Sequence, residues 1–96
     1  MRRDKPDGNS KQLDAAFKSY GASVWLLARP FDRLIGYRGR NILVEYKDPR
    51  TAYGRKGLST SQQAFDATWR GGKVQLVTCV SDVPRALAFI EDSVDQ

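Results

Sequence analysis

Three side chains capable of chemistry occur within residues 32–47, namely Asp32, Glu45 and Lys47. Glu45 and Lys47 follow an apolar run typical of a strand, in which residues two apart point to the same face. Two carboxylates and an ammonium group on one face would bind a divalent cation and activate a water molecule beside it. The same charges also occur on ordinary solvated hairpins, where they do no chemistry.

The turn between the two strands decides whether Asp32 faces Glu45. Gly39 supplies the positive φ that tight turns require, so we predict a two-residue turn at Arg38-Gly39. Counting back along both strands then sets Asp32 opposite Glu45, with Cβ atoms about 5 Å apart. Carboxylates that close repel unless a cation or a proton lies between them. A three-residue turn would instead place the two acids on opposite faces.

The length of 96 residues, with 41% hydrophobic residues, predicts one small domain. Residues 1–8 are charged and polar and are expected to be flexible, so the domain is assigned to residues 9–96. No apolar run approaches the roughly 18 residues of a membrane span, and no signal-peptide pattern is present. The single cysteine, Cys79, cannot form an internal disulfide, which favours a cytoplasmic location.

Histidine is absent, which removes histidine-based triads and most catalytic zinc sites. Oxygen ligands remain, and these select Mg²⁺, Mn²⁺ or Ca²⁺. The net charge of +5 and the pI of about 9.7 indicate a polyanionic partner. Much of the positive charge surrounds the paired acids, at Arg29, Arg33, Arg38, Arg40, Lys47, Arg50, Arg55 and Lys56. This combination fits phosphodiester chemistry on a nucleic acid.

The elements that must position these residues follow from periodicity, caps and turn residues. In chain order they are a helix from Asn9 or Ser10 to about Tyr20, strands at 23–28, 32–37 and 40–47, a loop at 48–57, a helix at 60–70 capped by Ser59, a strand at 74–80, and a last helix with Pro84 in its first turn. The order α-β-β-β-α-β-α predicts an α/β fold in which a small mixed sheet is flanked by helices.

Two motifs in this order resemble those of a known family. Phe31-Asp32-Arg33-Leu34-Ile35-Gly36 and then Leu43-Val44-Glu45-Tyr46-Lys47-Asp48 match a metal-binding hairpin. Leu58-Ser59-Thr60-Ser61-Gln62, followed by Trp69-Arg70-Gly71, matches a helix that opens on Leu-(Ser/Thr)-x-x-Gln. Together they resemble the stand-alone phage and bacterial VRR-Nuc nucleases of the PD-(D/E)XK superfamily. The resemblance covers residues 9–90.

This resemblance implies a restriction-endonuclease-like core and a DNA endonuclease that depends on Mg²⁺, with Mn²⁺ as a substitute. Asp32, Glu45 and the backbone carbonyl of Tyr46 would bind the metal, Lys47 would position or deprotonate the attacking water, and Gln62 would orient groups in the site. The relatives act as homodimers on branched DNA such as four-way junctions, in a bacterial or phage-infected cell. Neither a membrane nor a small-molecule cofactor is expected.

The chain departs from the family pattern at three places. Phe31 replaces the usual Pro before the acid, and Arg33 replaces an apolar residue. The family's first-helix glutamate falls on Gln12, whose amide oxygen can hold a metal-bound water but carries no charge. Gln12 is therefore an additional candidate ligand, and it also leaves open a DNA-binding module that does not cleave. Asp14 lies two residues further along the helix and points to another face.

The remaining expectations concern DNA contacts and the core. Arg33 and the basic loop with Arg50, Tyr53, Arg55 and Lys56 are predicted to contact DNA. Trp25 and Trp69 are expected in the core or at a subunit interface. Cys79 is expected to be a buried structural thiol.

Overall fold

The computed structural model describes residues 8–51 and 58–94, with side chains as far as residue 89. Its elements are α1 (Ser10–Ser19), β1 (Ser23–Leu26), β2 (Arg33–Tyr37), β3 (Arg40–Tyr46), α2 (Thr60–Thr68), β4 (Gln75–Val77), a 3₁₀ turn (Val80–Asp82) and α3 (Val83–Val94). The helices and strands occur in the predicted order. In the described ranges, no helix is long and apolar enough to cross a membrane.

The four strands form one mixed sheet in the order β1-β2-β3-β4. The first three strands are antiparallel neighbours, whereas β4 runs parallel to β3. The chain can reach a parallel position only through a crossover, and α2 lies within that connection. The chain is thus a small mixed α/β domain with three described helices, as predicted.

The main core lies on the sheet face that α1 and α3 cover. Leu13 and Phe17 of α1 and Val83 of α3 are fully buried against Val44 and Tyr46 of β3. The spacing of Leu13 and Phe17, four residues apart, puts both side chains on one helix face. Because strand residues alternate, Glu45 and its second neighbours in β3 face away from this core.

The helix α2 lies on the opposite face of the sheet. Its N-terminus is fixed by the predicted cap, in which the Ser59 hydroxyl accepts from the backbone N–H of Gln62. The ring of Phe65 meets the buried ring of Phe31 edge to face, with centroids 5.3 Å apart. Trp69 continues this aromatic row, since its ring stacks on Phe65 at 5.0 Å. These contacts hold α2 over the end of the hairpin that carries Asp32.

The strand β1 differs from the buried strand predicted at 23–28. It ends at Leu26 and forms an edge of the sheet, with β2 as its strand neighbour. Trp25 is 70% exposed and Leu26 is 66% exposed, so neither belongs to the core. Trp69 is also partly exposed, at 46%. The exposure of these tryptophans excludes the first predicted placement, in the core, because an apolar run does not show whether a strand is central or at an edge; the second, at a subunit interface, stays a prediction.

The predicted burial of Cys79 was also wrong. The strand β4 ends at Val77, where the Asp82 carboxylate accepts hydrogen bonds from both the backbone N–H and the hydroxyl of Thr78. These bonds divert the chain into the 3₁₀ turn instead of prolonging the strand. Cys79 is therefore exposed, and its thiol lies 3.1 Å from the Ser81 hydroxyl.

The segment after β1 contains a strained residue. Ala28 has φ = 73°, a left-handed conformation that costs a non-glycine residue about 1–2 kcal/mol. We expect Ala28→Gly to stabilise the protein by roughly 0.5–1 kcal/mol, because glycine removes this strain but loses more backbone entropy on folding. Thermal unfolding would show this as a rise of a few degrees in Tm.

Ala15→Gly is the matched control for this prediction. Ala15 is exposed in the middle of α1, where glycine should cost about 0.5–1 kcal/mol. A lower Tm for both variants would show that the conformation of Ala28 carries no strain.

Candidate metal centre

The hairpin turn has the predicted two-residue form. Arg38 and Gly39 both have positive φ, 53° and 80°, as a type I′ turn requires. Tyr37 pairs with Arg40, and the register continues to Arg33 opposite Val44. The alternative three-residue turn is therefore excluded. One step beyond the last pair, Asp32 lies opposite Glu45.

Asp32 is held at this place by its backbone and by its side chain. Its carbonyl accepts a hydrogen bond from the backbone N–H of Leu27 at 2.9 Å, which prolongs the pairing of β1 with β2. One carboxylate oxygen, Oδ2, accepts from the backbone N–H of Tyr46, also at 2.9 Å. The carboxylate therefore bridges to the neighbouring strand beside Glu45, as the register predicts.

Glu45 of β3 and Lys47, the first residue after this strand, form a buried ion pair on one face of the sheet. Lys47 Nζ lies 3.3 Å from Glu45 Oε2, and the two side chains are only 4% and 7% exposed. The other carboxylate oxygen, Glu45 Oε1, is buried and has no hydrogen-bond partner in the described parts of the chain. A buried carboxylate oxygen without a donor is costly, so this atom is suited to accept a cation or a proton.

The electrostatics of Glu45 agree with this geometry. Burial of the carboxyl group raises the pKa of Glu45 above 4.5, and the nearby negative charge of Asp32 raises it further. The Gln62 amide and the Lys47 ammonium lower the pKa again in part. Burial and the neighbouring carboxylate therefore favour a proton or a cation at Glu45.

The donor set fits a hard divalent cation that keeps most of its water. Asp32 and Glu45 supply two carboxylates, and the Tyr46 carbonyl belongs to the residue between Glu45 and Lys47. Among the described side chains, in residues 8–51 and 58–89, no group of three or more acidic or cysteine side chains could hold a metal. Mg²⁺ commonly binds through one or two carboxylates, with water or substrate phosphate in its other positions. A cation at Glu45 Oε1 would also satisfy the unpartnered oxygen.

Gln62 lies next to this site, but its side-chain amide already makes hydrogen bonds to backbone groups elsewhere. Its Nε2 donates to the Pro30 carbonyl at 2.9 Å, and its Oε1 accepts from the Ser59 backbone N–H at 3.0 Å. Gln62 therefore ties the start of α2 to the segment before Asp32. Its amide is close enough to lower the pKa of Glu45 but leaves Glu45 Oε1 unpartnered.

Gln12 is not brought together with the two acids. It is exposed and lines a cavity of about 440 Å³ at the carboxyl ends of β3 and β4. Asn9, Arg50 and Cys79 share this cavity, whereas Asp32 and Glu45 do not line it. The Asn9 side chain, in the wall of this cavity, donates to the carbonyls of Lys47 and Thr78.

The residues predicted to contact DNA have three different placements. Arg33 is buried in the hairpin, with its guanidinium bound to Asp14, so it is not presented to a partner. Arg50 is largely exposed and binds the buried Asp48 carboxylate through two nitrogens. This contact lowers the pKa of Asp48 to about 2. Tyr53, Arg55 and Lys56 lie outside the described residues.

The sequence analysis did not identify the partnership between Asp14 and Arg33. Arg33 Nε and Nη2 donate to the two carboxylate oxygens of Asp14 at 2.9 and 3.1 Å, and the Tyr46 hydroxyl donates to Asp14 at 2.8 Å. Strand alternation places Arg33 on the same face as the buried Ile35, and a buried arginine requires an acid. That alternation was the signal that could have revealed the pair.

We expect the pKa of Glu45 to govern how stability changes with pH above about 4.5. Because the folded-state pKa is raised, the native protein holds this proton more tightly than the unfolded chain. Stability should therefore fall as pH rises from about 4.5 through the raised pKa, by at most about 1.4 kcal/mol per pH unit. Asp48 and Asp82 matter in a lower pH range, because their pKa values in the folded protein are lowered from the ordinary 3.8. Their contribution to stability is lost as pH falls through that range.

Urea unfolding in EDTA between pH 4.5 and 7.5 would measure this slope. Glu45→Gln should flatten it, because the amide does not titrate. The same slope in Glu45→Gln as in the wild type would show that another group is responsible.

Comparisons with protein-family models, with curated proteins and with solved structures gave no match to this chain.

Proposed function

We propose that this protein is a Mg²⁺- or Mn²⁺-dependent DNA endonuclease with a restriction-endonuclease-like core of the VRR-Nuc type. The observation that carries the proposal is the unpartnered, buried Glu45 Oε1 in a site that also holds Asp32 and Lys47. Two carboxylates forced together at a hairpin end are unfavourable for stability alone. Such an arrangement is typical of sites that bind a cation.

The proposed roles are those that the resemblance implies, and the geometry supports them. Asp32 and Glu45 would hold the metal, with the Tyr46 carbonyl as a further ligand. When bound, a divalent cation supplies Lewis-acid polarisation of a phosphoryl oxygen and lowers the pKa of a bound water. Lys47 is fixed by its ion pair with Glu45 at 3.3 Å. As an ammonium group, it stabilises negative charge that develops on the phosphate during attack by water.

A DNA substrate is supported by exposed positive charge on and beside the hairpin. Arg29 is exposed in the segment before Asp32, and Arg50 is exposed beyond β3. Arg38 and Arg40 are exposed at the turn, at the other end of the hairpin from the two acids. Exposed cations of this kind contact phosphates without reading sequence. The basic loop residues Tyr53, Arg55 and Lys56 remain part of this proposal.

A homodimer that cleaves branched DNA follows from the same resemblance. The exposed edge strand β1 supports it, because no described strand pairs with its outer edge next to Trp25 and Leu26. A strand edge with exposed apolar side chains is suited to pairing with a second copy. Two sites in one dimer would suit a four-way junction.

The second candidate is a DNA-binding module that does not cleave. The exposed position of Gln12, away from Asp32 and Glu45, favours it, because the family's first-helix carboxylate has no counterpart in the site. This candidate keeps the fold and the basic surface but needs no metal.

Labelled four-way junctions and linear duplexes of the same arm sequences would separate these proposals. With Mg²⁺ or Mn²⁺ we expect cleavage of the junction and less cleavage of the duplex, and with EDTA we expect binding alone. Binding without cleavage in every metal would favour the non-cleaving module. Absence of both binding and cleavage would exclude both candidates.

A further inference from the structure

A buried polar cluster lies on the core face of the hairpin, opposite the candidate metal site. Asp14 of α1, Arg33 of β2 and Tyr46 of β3 form it, and the side chains of Arg33 and Asp14 are 10% and 25% exposed. The Arg33 guanidinium lies 5.0 Å from the centre of the Tyr46 ring and binds both oxygens of Asp14. Asp14 also accepts from the Tyr46 hydroxyl. The cluster therefore joins the first helix to both strands of the hairpin.

A contribution to the stability of the fold does not by itself explain why charged residues occupy this cluster. Removing two charges from water is costly, and apolar residues of similar size often replace a buried ion pair without loss. An apolar residue at position 33 would continue the core that Ile35 and Val44 already form on this face. A buried ion pair in such a place suggests that it fixes a conformation.

The conformation that it fixes is that of Asp32. Arg33 Nη1 donates to the Asp32 carbonyl at 3.1 Å, and the Tyr46 backbone N–H donates to Asp32 Oδ2 at 2.9 Å. Both donors come from residues whose side chains Asp14 binds. Asp14 thus holds Asp32 through two separate paths, one to its backbone and one to its carboxylate.

We propose that Asp14, Arg33 and the Tyr46 hydroxyl form a positioning network that holds the Asp32 carboxylate toward Glu45 for cation binding. This inference rests on the proposed metal centre. Residues that orient metal ligands commonly change metal affinity by about 10- to 100-fold when they are replaced. The three side chains lie on the opposite face of the sheet from Glu45, so they would act by orienting Asp32 and not as ligands themselves.

The double variant Asp14→Asn/Arg33→Met removes the ion pair without leaving an unpaired buried charge. Because its net charge equals that of the wild type, a change in cation affinity cannot arise from total charge. Titration calorimetry with Mn²⁺ alone, on the full chain, should show a dissociation constant at least about tenfold weaker than the wild-type value. Circular dichroism would confirm that the variant is folded at the temperature of the titration.

Two further variants complete the experiment. Tyr46→Phe keeps the backbone N–H to Asp32 but loses the hydroxyl, and we expect a weakening of about threefold or more. Arg85→Met is the control, since Arg85 binds Asp82, Gln75 and the Leu76 carbonyl, none of which is a proposed ligand, and should leave Mn²⁺ affinity unchanged. If the double variant does not fold, Tyr46→Phe alone decides the result.

The possible results distinguish a failure of the positioning network from a failure of the metal centre. Wild-type Mn²⁺ binding that weakens in the network variants but not in Arg85→Met would support the positioning role. Wild-type affinity retained in the folded network variants would overturn it and leave the metal centre intact. No Mn²⁺ binding by the wild type would overturn the metal centre itself, and the positioning role with it.

Discussion

Asp32→Asn is expected to abolish metal-dependent cleavage while leaving the protein at least as stable as the wild type. The amide keeps an oxygen that can accept from the Tyr46 backbone N–H, so the local geometry should survive. It removes one of the two carboxylate charges, and with it the repulsion that raises the pKa of Glu45. We expect cleavage to fall by on the order of 10³-fold or more, because the metal loses a charged ligand.

Stability should move in the opposite direction to activity. Unfolding in urea at pH 7 without metal should show Asp32→Asn to be as stable as the wild type, or more stable by up to about 1 kcal/mol. Asp66→Asn is the matched control, since Asp66 is exposed on α2 and should change neither activity nor stability. Cleavage at the wild-type rate in Asp32→Asn would remove this residue from the site.

Lys47→Met is expected to lose both activity and stability. Lys47 is 4% exposed and its removal leaves the Glu45 carboxylate buried without its cation. Breaking a buried ion pair from one side costs up to about 3–5 kcal/mol, less whatever protonation of Glu45 recovers. Cleavage should fall by on the order of 10²–10³-fold at a temperature where the variant is folded.

The double variant Glu45→Gln/Lys47→Met separates the two effects of this pair. It leaves no buried charge at these two positions, so we expect most of the lost stability to return while cleavage stays absent. Lys73→Met, at an exposed lysine, controls for the loss of one positive charge from the surface. If Lys47→Met unfolds no more readily than Lys73→Met, the buried ion pair contributes nothing to stability.

The hairpin and its register could be predicted because they depend on local chemistry. The turn requires positive φ, and Gly39 meets that requirement most easily. Once the turn length is known, strand alternation places Glu45 and Lys47 on one face and brings Asp32 opposite Glu45. The Ser59 cap with Gln62 is local in the same sense, since it involves neighbours three residues apart.

Features that depend on the neighbours of an element were not predicted. The burial of Trp25 depends on whether β1 has a strand on each side, and its own residues do not show this. Gln12 sits on a helix face whose direction is set by Asn9, which binds the distant carbonyls of Lys47 and Thr78. Helix periodicity indicates which residues share a face but not which part of the sheet that face meets.

Arg33 shows how charge can mislead such a prediction. A cation in a basic segment suggests contact with DNA, but the strand turns this side chain toward the core, where Asp14 holds it. The two residues are far apart in sequence, and only the packing of α1 on the sheet brings them together. The sequence shows that Arg33 carries a positive charge, but only the fold shows that its partner is Asp14.

The most direct test of the metal centre is an anomalous diffraction map from crystals of the wild-type protein soaked in Mn²⁺. We predict a peak between the Asp32 and Glu45 carboxylates, at about 2.0–2.6 Å from an oxygen of each. The peak should be absent from crystals of Asp32→Asn soaked in the same way. A map with no peak at this place, or with its strongest peak elsewhere, such as beside Asp14, would contradict the proposed site.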